Sequence, residues 1–372
     1  MSTEIISSRS DTVVVKLNPD EIVVGDVLAA AAISPRGILL APKGTTISEK
    51  TRQLLLRNRA CAMVQRTKEE MKAITPDENV LQELLNENSI SLSDATKEQA
   101  KASLEYMYEH ADDGDEVVDV AKSTSSALLD CVLDARETHM SVEALRVSDE
   151  YTFKHSVDVA MMGCMLGKSM GLDEKYLQDI MTAGILHDFG KIDVPINILN
   201  KPGKLTDAEF DIIKKHPTFG YERLRDSKEL SESVKQGILT HHEKFSGFGY
   251  PLGLSGEKIP MIGRILSIVD VYDALVTKRP YKNAKKPVEA YEMMLSMTGQ
   301  FDINIFSIFT QTVILYPNGT LIELFPGVNT FVSKQNPGYP TRPVLVDMKT
   351  GTTYDLLHDK DLRSVSIEHM NI

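Results

Sequence analysis

The chain has 372 residues, enough for two or three domains, with 42% hydrophobic and 25% charged residues, as in ordinary soluble proteins. A net charge of −12 makes its surface a poor match for duplex DNA or an anionic membrane. Three widely spaced cysteines exclude a zinc-knuckle spacing and a closed disulfide framework, so a reducing cytoplasm is the expected location.

In chain order, the N-terminal residues lack the basic and apolar regions of a secretory signal, and no apolar run reaches membrane-spanning length. "TVVVKL" and "EIVVGDVLA" predict strands, "SPRGILLAPKG" a hairpin-like turn, and "SEKTRQLLLRNRA" a helix. Residues 1–67 therefore predict a small mixed β/α module. Residues 68–140 begin polar and acidic, with helical patches such as "VLQELLNEN", and predict a helical connector or regulatory segment.

Residues 141–300 predict an all-helical domain. "HSVDVAMMGCMLGKSMGL", "EKYLQDIMTAGILHDFGK", "SESVKQGILTHHEK", "PMIGRILSIVDVYDALVTK" and "PVEAYEMML" place apolar residues every three or four positions. Thr206 and Glu209 in "LTDAEFDIIKKH" make a capping box that starts another helix. After Gly299 the period changes. "QTVILYPNGTLIELF" predicts a hairpin turning at Pro317–Gly319, and "TFVSK" and "RPVLVDM" further strands, so residues 301–372 predict a C-terminal β appendage. The fold class is mainly α.

Five histidines fall on the central helices: His155, His187, His216, His241 and His242. Asp188 follows His187, and Asp270 sits among apolar residues, where a carboxylate needs a partner. Taken singly, each has an ordinary reading as a helix cap, a surface group or, for Asp270, a partner of Arg264. Together, five imidazoles and two carboxylates suffice as a shell for two cations, and that donor chemistry suits Fe, Mn, Zn, Ni or Co better than Ca or Mg. Two metals a few ångströms apart serve phosphoester hydrolysis. Adjacent His241 and His242 point about 100° apart, as two ligand directions require. Lys191 follows Asp188 by one turn. Arg279 and Lys282, in a basic run that alone reads as a solvated face, beside metals read as phosphate contacts.

At these motifs the sequence resembles the HD-GYP phosphodiesterases of the HD phosphohydrolase superfamily. The resemblance rests on "YTFKHSVDVA", "HDFGK", "ILNKPGKLTDAEFDIIKKHPTFGYERL", "HHEKFSGFGYPLGLSGEKIP" and "RILSIVDVYDALVTKRPYKNA", with a similar β tail in "YPNGTLIELFPGV", over about residues 145–350. It implies a bacterial signalling enzyme that hydrolyses cyclic di-GMP to the linear dinucleotide, and on to GMP. It also implies a binuclear centre of iron or manganese with ligands His155, His187, Asp188, His216, His241, His242 and Asp270. Asp188 is the implied bridging ligand and, with Lys191, the catalytic pair. Lys191, Tyr250, Arg279 and Lys282 are the implied substrate contacts, and Gly249, Tyr250 and Pro251 the loop that gives the family its name.

Three positions depart from the pattern. Ser246 replaces the usual Asp and Phe248 a small residue, which opens the choice of cyclic dinucleotide to cyclic GMP–AMP or another nucleotide. Tyr151 stands where some members have a Glu for a third metal, so two metals are expected. A weakly catalytic sensor of ligand or metal state is the reading from another class. No polymeric nucleic acid is expected as a partner; a homodimer or a signalling protein is left open, as is what the N-terminal module senses.

Overall fold

The computed structural model describes residues 4–9, 12–17, 19, 22–34, 38–58, 60–67, 92–134, 151–277, 284–297, 299–325, 328–365, 367 and 369–371. The chain forms two compact units. One comprises Met1–Leu85, Asn318–Asn336 and Arg342–Ile372, and the other Asn86–Pro317 with Pro337–Thr341.

The first unit carries the strands. β1 (Glu4–Arg9), β2 (Thr12–Leu17), β3 (Val27–Leu28) and β6 (Ala62–Thr67) form an antiparallel sheet in the order β1–β2–β6–β3. β4 (Ala32–Ile33) pairs with β5 (Leu39–Ala41), as the hairpin-like signal predicts. Helix α1 (Glu49–Arg57) starts where Ser48 accepts the Thr51 N–H, and Leu55 anchors it in a core with Leu17, Ile22, Leu28, Ile47 and Val64. Most of "EIVVGDVLA" is not strand. Gly25 has φ +103° and the Asp26 carboxylate accepts the Val23 N–H, a turn that leaves Val23 and Val24 outward.

The second sheet of this unit runs β10 (Thr353–Asp355), β9 (Val344–Asp347), β8 (Val328–Lys334), β7 (Leu321–Phe325), β11 (His369–Asn371), all antiparallel. The hairpin expected to turn at Pro317–Gly319 is corrected here. The turn precedes β7, whose partners are β8 and β11, and Gln311–Thr312 end a helix instead. Asp302 caps that helix by accepting the Asn304 N–H, and Ile305, Phe306 and Phe309 are buried at helical spacing. The apolar run Val313–Tyr316 is buried as well, so its lack of alternation reflects two-sided burial rather than a strand.

The second unit is helical. Its elements are α2 (Asp94–Glu109), α3 (Gly114–Asp134), α4 (Tyr151–Ser169), α5 (Glu174–Leu186), a 3₁₀ turn (Phe189–Asp193), α6 (Ile196–Leu199), α7 (Asp207–Ile213), α8 (His216–Leu224), α9 (Glu232–Thr240), α10 (Met261–Val276), α11 (Pro287–Ser296) and α12 (Ile303–Thr312). Helix starts follow the capping signals. Ser93, Asp173, Thr206 and Ser231 each accept a backbone N–H three residues on, and the Thr206–Glu209 capping box is complete.

Helix α10 is buried nearly all round, through Ile262, Ile265, Leu266, Ile268, Val269, Tyr272 and Leu275. It packs on α4, which packs on α5, with α9 against both α5 and α10. α4 and α5 approach closely at Gly184, where a Cβ would lie 2.4 Å from the Ala160 Cα. Helices α2 and α3 pack against one another and onto this core. "VLQELLNEN" lies outside the described residues. Among the described residues, no helix is long and apolar enough to cross a membrane.

Candidate metal centre

The central helices end or pass at one buried point. α4 brings His155. His187 follows the last residue of α5 and Asp188 comes next, while His216 opens α8. His241 and His242 follow α9, and α10 brings Asp270. His155, His187, Asp188, His216 and His241 are at most 2% exposed, and Asp270 is 6% exposed.

Three of the rings are held in the same way. His187, His216 and His241 each donate from Nδ1 to the carbonyl three residues earlier, on Gly184, Ile213 and Ile238, at 2.7, 2.8 and 2.8 Å. The fourth, His155, donates from Nδ1 to Asp273 Oδ2 at 2.6 Å. Each bond places the ring proton on Nδ1 and turns an Nε2 lone pair inward. The lone pairs meet: His155 and His187 Nε2 are 3.3 Å apart, and His216 and His241 Nε2 are 3.2 Å apart. Two bare acceptors at that distance would repel, so the arrangement fits a cation beside each pair, and in the metal-free protein a proton on His155 fills that place at the first.

Asp188 lies between the pairs. Its Oδ1 is 3.2 Å from His216 Nε2, and its Oδ2 is 3.4 Å from His187 Nε2 and 3.5 Å from His155 Nε2. Two groups of potential ligand atoms result, His155–His187–Asp188 and Asp188–His216–His241–His242, the atoms of each within 4.8 Å of one another. Asp270 borders both, with Oδ1 3.2 Å from His155 Nε2 and Oδ2 3.5 Å from His242 Nδ1. Arg264, the ordinary partner for Asp270, pairs with Asp302 at 2.5 Å. The donor set of imidazole and carboxylate suits a divalent transition metal.

Charge is arranged accordingly. Burial raises the Asp188 carboxyl, but Lys191 and the His187 and His216 rings outweigh it and hold Asp188 well below the ordinary range. Burial also raises Asp270, and the hydrogen bond from His155 outweighs it and holds Asp270 well below the ordinary range. Burial pushes His241 far down, with His242, His187 and His216 adding to the effect, and takes His242 to about 3. Both rings are neutral and ready to ligate. His155 is the exception: burial lowers it, but Asp270 and Asp273 prevail and raise it to about 10. Without a metal, a proton occupies the place of a cation there.

Around this core, the Lys191 ammonium pairs with the Asp188 carboxylate. The Tyr250 ring lies 4.7 Å from that of His242. Burial, then Asp270 and Asp188, raise the Tyr250 phenol, which stays protonated. Arg279 and Lys282 lie outside the described residues, as do the surroundings of the Tyr151 side chain. Ser246 and Phe248 are exposed and belong to neither ligand group.

Sequence reasoning undervalued two carboxylates. Asp273, fully buried one turn after Asp270, orients His155 and accepts a second bond from Thr277 Oγ1 at 2.8 Å. Its signal was a second Asp within an apolar helix. Glu243, next to His242, is 2% exposed. It accepts the Leu252 and Leu254 N–H groups at 2.7 and 3.0 Å, pinning the far side of the Gly249–Pro251 loop.

The family profile described as "HD domain" matches residues 138–305. A cyclic di-GMP phosphodiesterase of Pseudomonas aeruginosa is 39% identical over 232 residues, 61% of this chain and 55% of that protein. A cyclic di-GMP phosphodiesterase of Thermotoga maritima is 39% identical over 164 residues, 43% of this chain and 45% of that protein. A 3′3′-cGAMP-specific phosphodiesterase of Vibrio cholerae is 38% identical over 178 residues, 46% of this chain and 34% of that protein. The chain thus spans about half the length of the first two of these relatives.

Proposed function

We propose that the chain belongs to the HD-domain proteins, in their HD-GYP branch, and, on that premise, that it is a metal-dependent phosphodiesterase cleaving cyclic di-GMP to the linear dinucleotide. The observation that carries this reading is Asp188, whose two oxygens face separate ligand groups. That arrangement supports two divalent ions, iron or manganese, held by His155, His187, Asp188, His216, His241, His242 and Asp270. Bound ions would supply Lewis acidity and a nucleophile available at neutral pH.

The chain's own groups prepare the rest. His187, His216 and His241 keep their Nε2 lone pairs inward through their Nδ1–carbonyl bonds. Lys191, beside Asp188, is placed to offset charge growing on the non-bridging phosphate oxygens. Tyr250, held as a neutral phenol, is a hydrogen-bond donor to a phosphate or a stacking face for a base. Arg279 and Lys282 are proposed as the remaining phosphate contacts, Arg as a fork and Lys as a point charge. Cys61, Cys131 and Cys164 form no disulfide, which accords with a cytoplasmic setting.

The test is direct. Protein loaded anaerobically with Fe(II), and separately with Mn(II), is given cyclic di-GMP, and the products are separated by chromatography. The linear dinucleotide is expected, with activity removed by chelation and restored by readdition. A fully loaded protein that leaves cyclic di-GMP intact overturns the reading.

A second substrate has a specific observation in its favour. Phe248, 86% exposed, projects from the same loop as Tyr250, where the HD-GYP pattern has a small residue. A large apolar side chain at that point bears on which two bases the loop admits and leaves room for 3′3′-cyclic GMP–AMP as substrate. Phe248→Gly is expected to shift the kcat/KM ratio between the two substrates; an unchanged ratio removes the argument.

A further inference from the structure

The turn bearing Asp188 and Lys191 does not hold itself. It is a single 3₁₀ stretch, closed by Lys191 N–H to Asp188 O at 2.9 Å and Val194 N–H to Lys191 O at 3.1 Å. Such short stretches have poor hydrogen-bond geometry, and their position is set by what packs on them. One side is α8, in backbone contact: a Cβ on Gly190 would lie 2.1 Å from His216 O and 2.2 Å from Gly220 N.

The other support comes from helix α2 and the α2–α3 turn, upstream of the residues 138–305 that match the HD domain. The Tyr108 ring of α2 packs on Phe189 at 5.6 Å, tilted by 59°, and its Oη lies 3.5 Å from the Asp188 carbonyl oxygen. At the far end of the turn, Arg223 of α8 grips Asp193 with a fork, Nε to Oδ2 at 2.6 Å and Nη2 to Oδ1 at 2.7 Å. Its remaining nitrogen, Nη1, donates to the Ala111 carbonyl in the α2–α3 turn at 2.9 Å. Asp112 Oδ1 lies 3.6 Å from the same Nη1. One guanidinium therefore joins three pieces of chain, and a planar fork holds direction where an ammonium would not.

We infer that Tyr108 and Arg223 are positioning residues of the site, through which helix α2 and the α2–α3 turn fix the segment carrying Asp188 and Lys191. The working unit then reaches back to the start of α2, beyond the HD-domain match. This rests on the reading of Asp188 and Lys191 as site residues. A displacement of about 1 Å in such a segment is enough to cost about 100-fold in rate.

The test uses the full chain and Mn²⁺ as probe. Affinity of metal-free protein for Mn²⁺ is read by electron paramagnetic resonance, kcat and KM by hydrolysis of cyclic di-GMP, and folding by thermal melts. Tyr108→Leu and Arg223→Gln are expected to weaken Mn²⁺ binding about tenfold, in the range seen for groups that orient ligands. They are also expected to lower kcat more than they raise KM. Tyr108→Phe, which keeps the ring on Phe189, is expected to restore most of both. Asp193→Asn cuts the same fork at its more exposed end and reads the same effect should Arg223→Gln not fold.

Folded variants with Mn²⁺ affinity and kcat of the parent overturn the inference. So does a loss that only tracks the fraction folded and is not restored in Tyr108→Phe. If the parent binds Mn²⁺ but cuts no cyclic dinucleotide, the functional reading fails alone, and weaker Mn²⁺ binding by the variants still upholds this inference.

Discussion

Asp273 accepts the Nδ1–H of His155 at 2.6 Å across the α4–α10 contact, with Asp273 fully buried and His155 nearly so. A carboxylate behind a metal-facing imidazole fixes both its rotation and its tautomer and makes it a better base. Asp273→Ala removes that support and leaves Thr277 Oγ1 without its acceptor. Metal affinity should fall 10- to 100-fold, the usual effect of losing such a partner. Competition with a coloured chelator measures it, and an unchanged affinity would show that His155 does not need Asp273.

Metal loading should release about one proton, and that proton comes from His155. In the metal-free protein, burial opposes the charge on His155, but Asp270 and Asp273 raise it to about 10, whereas His242 lies near 3 and His241 well below its ordinary value. At neutral pH the last two are already deprotonated. Affinity should therefore rise about tenfold per pH unit below about 10, with a slope of one rather than three. The stability contributed by the His155 charge has the opposite trend. It is present below the unfolded value of about 6.5 and is lost as pH rises through about 10. Calorimetry in two buffers of different ionisation enthalpy counts the protons; a count near zero contradicts the assignment.

Glu243 should govern substrate affinity rather than metal content. Its carboxylate holds the Leu252 and Leu254 N–H groups, and Gly249 lies so close that a Cβ there would be 2.3 Å from Lys244 N. Glu243→Ala leaves both donors without an acceptor, at a cost of about 1–3 kcal/mol. The expected result is a lower melting temperature and a raised KM with full metal occupancy. Loss of metal instead would mean that the loop and the ligands form one unit.

Gly190→Ala is expected to be the most damaging single methyl in the site. All three atoms that its Cβ would strike belong to backbone, His216 O, Gly220 N and Gly220 Cα, so no side-chain rotation relieves the clash. The turn must separate from α8, carrying Asp188 away from His216, at a cost at or above the 1–3 kcal/mol usual for overpacking. Denaturant unfolding of the metal-free variant measures it directly, and a change under about 1 kcal/mol contradicts the close contact.

Much of this was legible where physical cause is local. The Thr206–Glu209 capping box announced the start of α7, and the five histidines and Asp188 singled out in the sequence come together in the fold. What escaped depends on long-range packing. Tyr108 carries no local signal, because its meaning comes from Phe189 and Asp188, 80 positions later. Asp273 was visible as a residue, but its role requires α4 beside α10. The misread hairpin at Pro317–Gly319 came from treating Val313–Tyr316 as strand when burial on all sides gave it an apolar run without alternation.

The proposed ligands straddle the exposed loop that carries Phe248, with His242 before it and Asp270 after it, and the His155–Asp273 bond spans 118 positions. Ions gripped from both sides of that loop would act as a rivet through the chain. A protease nick beside Phe248 would then leave two fragments fastened by the ions as well as by the packing of α10 on α4 and α9, and a chelator would loosen that joint.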